Sequence, residues 1–280
     1  VQPALAPSID ASMARVLAAC AKYGIRAEIR NFHASLSPQT AEMLGLELFD
    51  AKTGEKLGKV DRLRATVRVE DLYALNLHRN INLQDLKIEG LELWVKFDAQ
   101  GQSNFHNVHF PPPEPNARIL FAYSAAHVEL KNGLIHYGDA LHSVTGDARN
   151  IRVTLQPEDP NAPMGNRTGV VTFTASNSTF VYDDRPINNI DIEARGRINE
   201  TLAEIQELVL RSPIAEAHLQ GVMDDWRALK YHFNVTSTVD LTQASDILQT
   251  GTTMRGAGNF VGTITGDGDR FQVEGNIKSD

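Results

Sequence analysis

Apolar residues recur at every second position over most of this chain, after a short opening stretch in which they recur at every third or fourth. Ile9, Met13, Val16, Leu17 and Cys20 form one helical stripe. Ser8 can cap that helix, Asp10 suits its first turn, and Gly24 ends it, so a helix over about 8–23 is expected. Beyond Gly24 the period is that of strands. Leu63, Ala65, Val67 and Val69 alternate with Arg62, Arg64, Thr66 and Arg68, and Leu91, Leu93, Val95 and Phe97 alternate with Glu92, Trp94, Lys96 and Asp98. The same alternation runs through Val128 and Leu130; Ile151, Val153 and Leu155; Val171 and Phe173; Ile190 and Ile192; Phe233 and Val235. Successive side chains of a strand point to opposite faces, so each run offers one apolar and one polar side. Such strands suit an antiparallel meander with one wet face.

Turn signals divide the runs at Lys52-Thr-Gly54, Asp98-Ala-Gln-Gly101, Asn132-Gly133, Asp183-Asp-Arg-Pro186 and Gly266-Asp-Gly268. Longer proline-containing loops are expected at 111–118 and 157–168, and a second short helix at 241–248, before Gly251. Residues 126–139 echo 171–184, with Asn132/Asn177, Tyr137/Tyr182 and Asp139/Asp184 coinciding at an offset of about 45 residues, a spacing typical of repeat architectures. The expected organisation is an N-terminal helix over 1–24 and a repetitive, mainly β region over 25–280. On periodicity alone, a sandwich of two packed sheets explains the apolar face as well as an open sheet does.

A net charge of -8 argues against a nucleic-acid surface, which wants excess Lys and Arg. The single cysteine, Cys20, excludes an intramolecular disulfide and a cysteine-based zinc site. It falls on the helical stripe, where core packing is expected in place of thiol chemistry. His106-x-x-His109 has metal-like spacing but sits outside a helix, and strand alternation sends His127 and His136 to opposite faces unless a bulge intervenes. Paired acids at Asp183-Asp184 and Asp224-Asp225 read as solvated turn formers. There is no Gly-x-Ser-x-Gly elbow, and Gly256-Ala-Gly258 and Gly266-Asp-Gly268 do not precede a helix as a phosphate cradle requires. No metal, cofactor or catalytic group is expected. No run of about 18 apolar residues offers a membrane helix.

The order of motifs resembles the TamB/AsmA-like family of envelope proteins. The helix leads into Gly24-Ile-Arg-Ala-Glu-Ile-Arg-Asn-Phe-His33, then Leu46-Glu-Leu-Phe-Asp50, Gly54 and 60–69. The pair 83–98 ends in an Asp98-x-x-Gly101-x-x-Asn104-Phe105 turn. Asn132-Gly-Leu-Ile-His-Tyr-Gly-Asp139 is similar to a recurring hairpin of the family, and 219–226, 231–248, 256–262 and 273–279 match its later repeat in order. The resemblance implies an elongated sheet curled into a half-pipe, following a membrane anchor upstream of this chain. It implies a periplasmic protein held in the bacterial inner membrane, which shelters phospholipid acyl chains in an apolar groove between the two membranes. It also implies support of outer-membrane assembly, through an outer-membrane barrel partner reached by a C-terminal region outside this chain. The groove would be lined by the alternating apolar residues: Leu63, Val67, Val69, Leu91, Leu93, Val95, Phe97, Val128, Leu130, Ile151, Val153, Leu155, Val171, Phe173, Ile190, Ile192, Phe233 and Val235. The competing expectation is a structural or adhesive β-module that binds through its loops.

Overall fold

The computed structural model describes residues 14, 17–18, 20–36, 39–69, 81–109, 121–122, 127–159, 168–199, 202–225, 230–248, 251, 254–267 and 270–279. The fold is mainly β, as the alternation requires, and the chain forms two compact units, Val1–His142 and Ser143–Asp280. Ser8, Ile9, Asp10, Met13 and Val16 of the expected N-terminal helix lie outside the described residues, as do the loop at 111–118 and residues 160–167 of the second loop. Residues 20–22 are helical, and the turn closes at Gly24, whose φ of 76° suits glycine and whose N–H donates to the Ala21 carbonyl at 3.1 Å.

The first unit is one open sheet in the order β1 (Ile25–Leu36), β2 (Gln39–Asp50), β3 (Lys56–Val69), β4 (Ile81–Phe97) and β6 (His127–Asp139), with the two-residue β5 (Phe121–Ala122) also on β4. Its pairs are antiparallel except for β4 with β5 and β4 with β6, which are parallel. The 29 residues between Phe97 and His127 are long enough for the crossover that a parallel pair needs. The second unit is an antiparallel meander of β7 (Val144–Pro157), β8 (Gly169–Tyr182), β9 (Arg185–Ile198), β10 (Ala203–Arg211), β11 (Ala215–Asp225), β12 (Lys230–Asp240), β13 (Ala257–Asp267) and β14 (Arg270–Ser279). One helix, α1 (Leu241–Leu248), interrupts it over the expected residues. Asp240 caps α1: its Oδ1 accepts from the Gln243 N–H at 3.0 Å while the Gln243 amide donates back to Oδ2 at 2.9 Å.

Single residues with positive φ bend the long strands near their middles. They are Gly45 (63°) in β2, Gly90 (65°) in β4, Asn132 (54°) in β6, Asn150 (50°) in β7, Asn177 (55°) in β8 and Asn189 (58°) in β9. The ladders skip the residues around them: β4–β6 pairing jumps from Glu89↔Lys131 to Glu92↔Leu134, and β7–β8 pairing from Asp147↔Thr179 to Arg152↔Thr174. At each site the alternation takes one three-residue step, so that two consecutive residues face outward. Leu130 and Gly133 are buried with Lys131 and Asn132 exposed between them; Ile187 and Ile190 turn in around exposed Asn188 and Asn189. Two outward side chains in succession fit only the convex side of a bend, so a crease runs across β2–β6 in the first unit and across β7–β9 in the second, with the apolar face inside it. Asn132-Gly133 is therefore no turn between strands. It lies within β6, where its left-handed residue reverses the alternation and the chain runs on.

Candidate functional site

The apolar face is contiguous within each unit, because residues paired across a ladder share a face. In the first unit Leu63 pairs with Met43 and Ile88, Val60 with Leu46 and Leu91, Leu86 with Val128, Ile88 with Leu130, and Leu93 with Ile135. In the second, Leu155 pairs with Val171, Val153 with Phe173, Phe173 with Ala194, Ile192 with Leu210, Leu208 with Leu219, Leu219 with Val235, and Phe233 with Ile264. Of the lining residues expected from the alternation, Leu63, Leu91, Leu93, Val95, Phe97, Val128 and Leu130 fall on this face in the first unit. Ile151, Val153, Leu155, Val171, Phe173, Ile190, Ile192, Phe233 and Val235 do so in the second. The side chains of Val67 and Val69 lie outside the described residues. Strict alternation missed the residues of this face beyond the crease, including Leu46, Val60, Ile88, Ile135, Ala175 and Ile187. A signal for them was present: apolar or small residues flank x-Gly or x-Asn in Met43-Leu-Gly-Leu46, Ile88-Glu-Gly-Leu91, Leu130-Lys-Asn-Gly133, Ala148-Arg-Asn-Ile151, Ala175-Ser-Asn-Ser178 and Ile187-Asn-Asn-Ile190.

This face is not a filled core. Only ten apolar side chains among the described residues are buried, and Leu46, Val60, Leu130, Ile151, Ala175 and Ile187 among them flank the crease. Away from it the lining is half-buried. Every described strand belongs to one open sheet, so no separate second sheet is formed among the described residues. Toward β14 the surface becomes a mosaic of rings and glycines. The Phe260 ring lies where a Cβ on Gly262 or Gly275 would point, the Tyr231 ring covers Gly266, and the Phe233 ring covers Gly221. Tyr231 and Phe233 stack with centroids 5.1 Å apart. Rings lying over glycines make this part of the surface mainly aromatic.

The opposite face is polar and laced with cross-strand ion pairs. Arg62 reaches Glu42 at 2.6 Å, Lys56 reaches Glu47 at 2.6 Å, and Lys59 reaches Glu92 at 2.5 Å. The Lys59 ammonium, aided by His136, holds the Glu92 carboxyl below its ordinary range. Unbroken alternation would send His127 and His136 to opposite faces; the bend at Asn132 is the interruption that puts both on this one. His127 meets Asp85 at 3.1 Å, while His136 meets Glu92 at 2.9 Å and stacks on Trp94 with centroids 5.6 Å apart. His106 and His109 bond through Nδ1 to the carbonyls of Ser103 and Asn107 at 2.7 and 3.0 Å. Burial pushes the Cys20 thiol up, which disfavours the thiolate. Asp183 and Asp184, both with positive φ, form the two-residue turn between β8 and β9. Among the described residues no group of three or more His, Cys, Asp or Glu side chains is placed to hold a metal, and no helix is long and apolar enough to cross a membrane.

One end of the first sheet is closed by the turn after β4. Asp98 Oδ1 accepts from the Gln100 and Gln102 N–H groups at 2.9 and 2.8 Å, and Gly101 takes a φ of 77°. Buried Asn104 then mimics a strand: its Nδ2 donates to the Trp94 carbonyl at 2.8 Å and its Oδ1 accepts from the Lys96 N–H at 3.0 Å. Beyond it, Asn107 Nδ2 donates at 2.8 Å to Asp50, which is only 1% exposed. The expected Asp-x-x-Gly-x-x-Asn-Phe turn is thus a folded plug of polar bonds at the rim. No family model matches this chain, and no curated protein does.

Proposed function

We propose that this chain is a non-catalytic, lipid-sheltering segment of the TamB/AsmA-like kind, periplasmic and held in the inner membrane by an anchor outside the residues described. Its creased apolar faces shelter phospholipid acyl chains passing between the two bacterial membranes, while headgroups stay in water at the open side. Such passage serves outer-membrane assembly, together with a barrel partner in that membrane. The carrying observation is that each unit presents a contiguous, largely half-buried apolar face while its other side is an ion-pair lattice. Burying apolar surface supplies the affinity for acyl chains, and the continuity of the face offers them an extended path. The competing reading, a structural or adhesive module that binds through its loops, is less favoured by a single open sheet than by a closed sandwich.

Photo-crosslinking tests the reading. A benzophenone side chain at Leu93 or Val95 is expected to capture phospholipid from cells, and one at Trp94, on the ion-paired face, is not. Capture at Trp94 with none at Leu93 or Val95 sinks the proposal, and so does an extract of the purified protein that mass spectrometry finds free of lipid.

A further inference from the structure

Strands β10 to β13 of the second unit carry a hollow of about 750 Å³ on their polar side. Ladder pairing sets Arg211, Glu216, Thr238 and Asn259 in one row across it, and His218, Thr236 and Val261 in the next. The turn Ser212-Pro213-Ile214 and the start of α1, at Asp240 and Gln243, close one end. That end is tied to the sheet: the Ser212 N–H donates to the Ala215 carbonyl at 2.8 Å and the Asp240 N–H to the Ile214 carbonyl at 2.9 Å. Several polar groups of the rows are already held on one side, which fixes what each offers on the other. Arg211 reaches Glu193 at 3.3 Å and Glu216 at 3.7 Å, and the same Glu216 oxygen meets His218 Nε2 at 2.9 Å. The Thr238 hydroxyl donates to Asn259 Oδ1 at 3.0 Å. What these bonds leave is a mixture. Asn259 Nδ2 and the Arg211 N–H groups donate, the second Glu216 oxygen accepts, and His218 Nδ1 and the Thr236 hydroxyl complete the set. In their midst Val261 is 60% exposed, an apolar patch on an otherwise polar surface.

We infer that this hollow binds a neutral glycan, a short run of hexose units. Its volume falls within the ~300–1,000 Å³ of small-molecule sites. A phosphate or carboxylate wants donors alone, whereas the carboxylates of Glu193, Glu216 and Asp240 border this surface and repel an anion. An acyl chain would strand the polar groups without partners. A sugar ring matches the mixture, because each hydroxyl both donates and accepts while the C–H groups of the ring cover Val261. Side chains already held by Glu216 and Asn259 lose little freedom on binding. The site faces away from the apolar lining and stands or falls apart from the lipid reading.

Saturation-transfer NMR on the whole chain tests this, with maltotetraose, cellotetraose and chitotetraose as the probes. Transfer to at least one of them is expected. Thr236→Val should weaken that binding at least threefold, and Val261→Arg, which fills the hollow, should abolish it. Both positions are exposed, so neither change disturbs packing. Thr174→Val, on the same face of β8 and outside the hollow, should leave binding unchanged. No transfer to any of the three sugars overturns the site, whatever the variants do. Transfer that survives Val261→Arg overturns it too, and so does displacement of the sugar by inorganic phosphate at the same concentration, which marks an anion site instead.

Discussion

If left-handed asparagines bend these strands, replacing one should invert the usual ranking of alanine and glycine. Asn177 is the cleanest site: its φ is 55°, its side chain is exposed, and its backbone N–H donates to Asp191 Oδ1 at 3.0 Å whatever the side chain. An L-residue forced into the left-handed region costs about 1–2 kcal/mol, which glycine avoids. Glycine in turn loses about 0.5–1 kcal/mol of chain entropy relative to alanine. The balance favours Asn177→Gly over Asn177→Ala by about 0.5–1 kcal/mol, with Asn177→Val worse still because of its branched Cβ. At Thr174, an exposed position of the same strand in regular pairing with Arg152 and Glu193, only the entropy difference acts, so Thr174→Ala should be the more stable. With a urea slope of about 2 kcal/mol/M, the Asn177 pair should differ in midpoint by about 0.25–0.5 M, and the Thr174 pair should differ in the opposite sense. Urea unfolding followed by far-UV circular dichroism measures both. Alanine above glycine at both positions would refute the crease.

Three further outcomes follow from the same contacts. Asp50→Ala strips the acceptor from the N–H groups of Lys52 and Thr53 and from Asn107, bonded at 2.7, 2.9 and 2.8 Å, and should cost about 1–3 kcal/mol in urea unfolding. The Asp50 carboxyl is raised by burial but lowered further by these donors; Glu92 is lowered chiefly by Lys59 and Asp240 by the Gln243 N–H. Groups with lowered folded values contribute fully above the ordinary carboxylate range, about pH 4, and lose that contribution as pH falls through the folded values, so the urea midpoint should drop below about pH 4 and drop less in Asp50→Asn. Gly275→Ala drives a Cβ into the Phe260 ring and should destabilise by about 1–3 kcal/mol, and a double-mutant cycle with Phe260→Ala should recover part of that cost; strict additivity would refute the ring's place on the glycine.

Strand content and much of the apolar face were legible from alternation because one face of each strand is apolar and the other charged, as in Arg62-Leu-Arg-Ala-Thr. The α1 bounds match the expected 241–248, which was set against Gly251 just beyond; the Asp240–Gln243 cap that fixes its start was seen only in the structure. Two features were hidden by physics. Asn-Gly marks a hairpin in most strand contexts, but the same left-handed preference that makes a tight turn also makes a mid-strand bend, and neighbouring ladders decide which. The parallel β4–β6 pair was invisible because alternation reports which way side chains point and carries no trace of strand direction. The 45-residue echo held the missing clue: Asn132 and Asn177 match in sequence and in φ, at 54° and 55°.

A bend carried by a single residue in each of six strands has an evolutionary consequence. A duplicated stretch brings its own asparagine or glycine with it, so each added strand arrives already folded along the same line and needs no matching change in its neighbours. Growth of such a sheet is then a matter of copying, with length free to drift toward whatever span the cell requires. What selection must guard in each copy is little more than one small permissive residue and the apolar pair on either side of it.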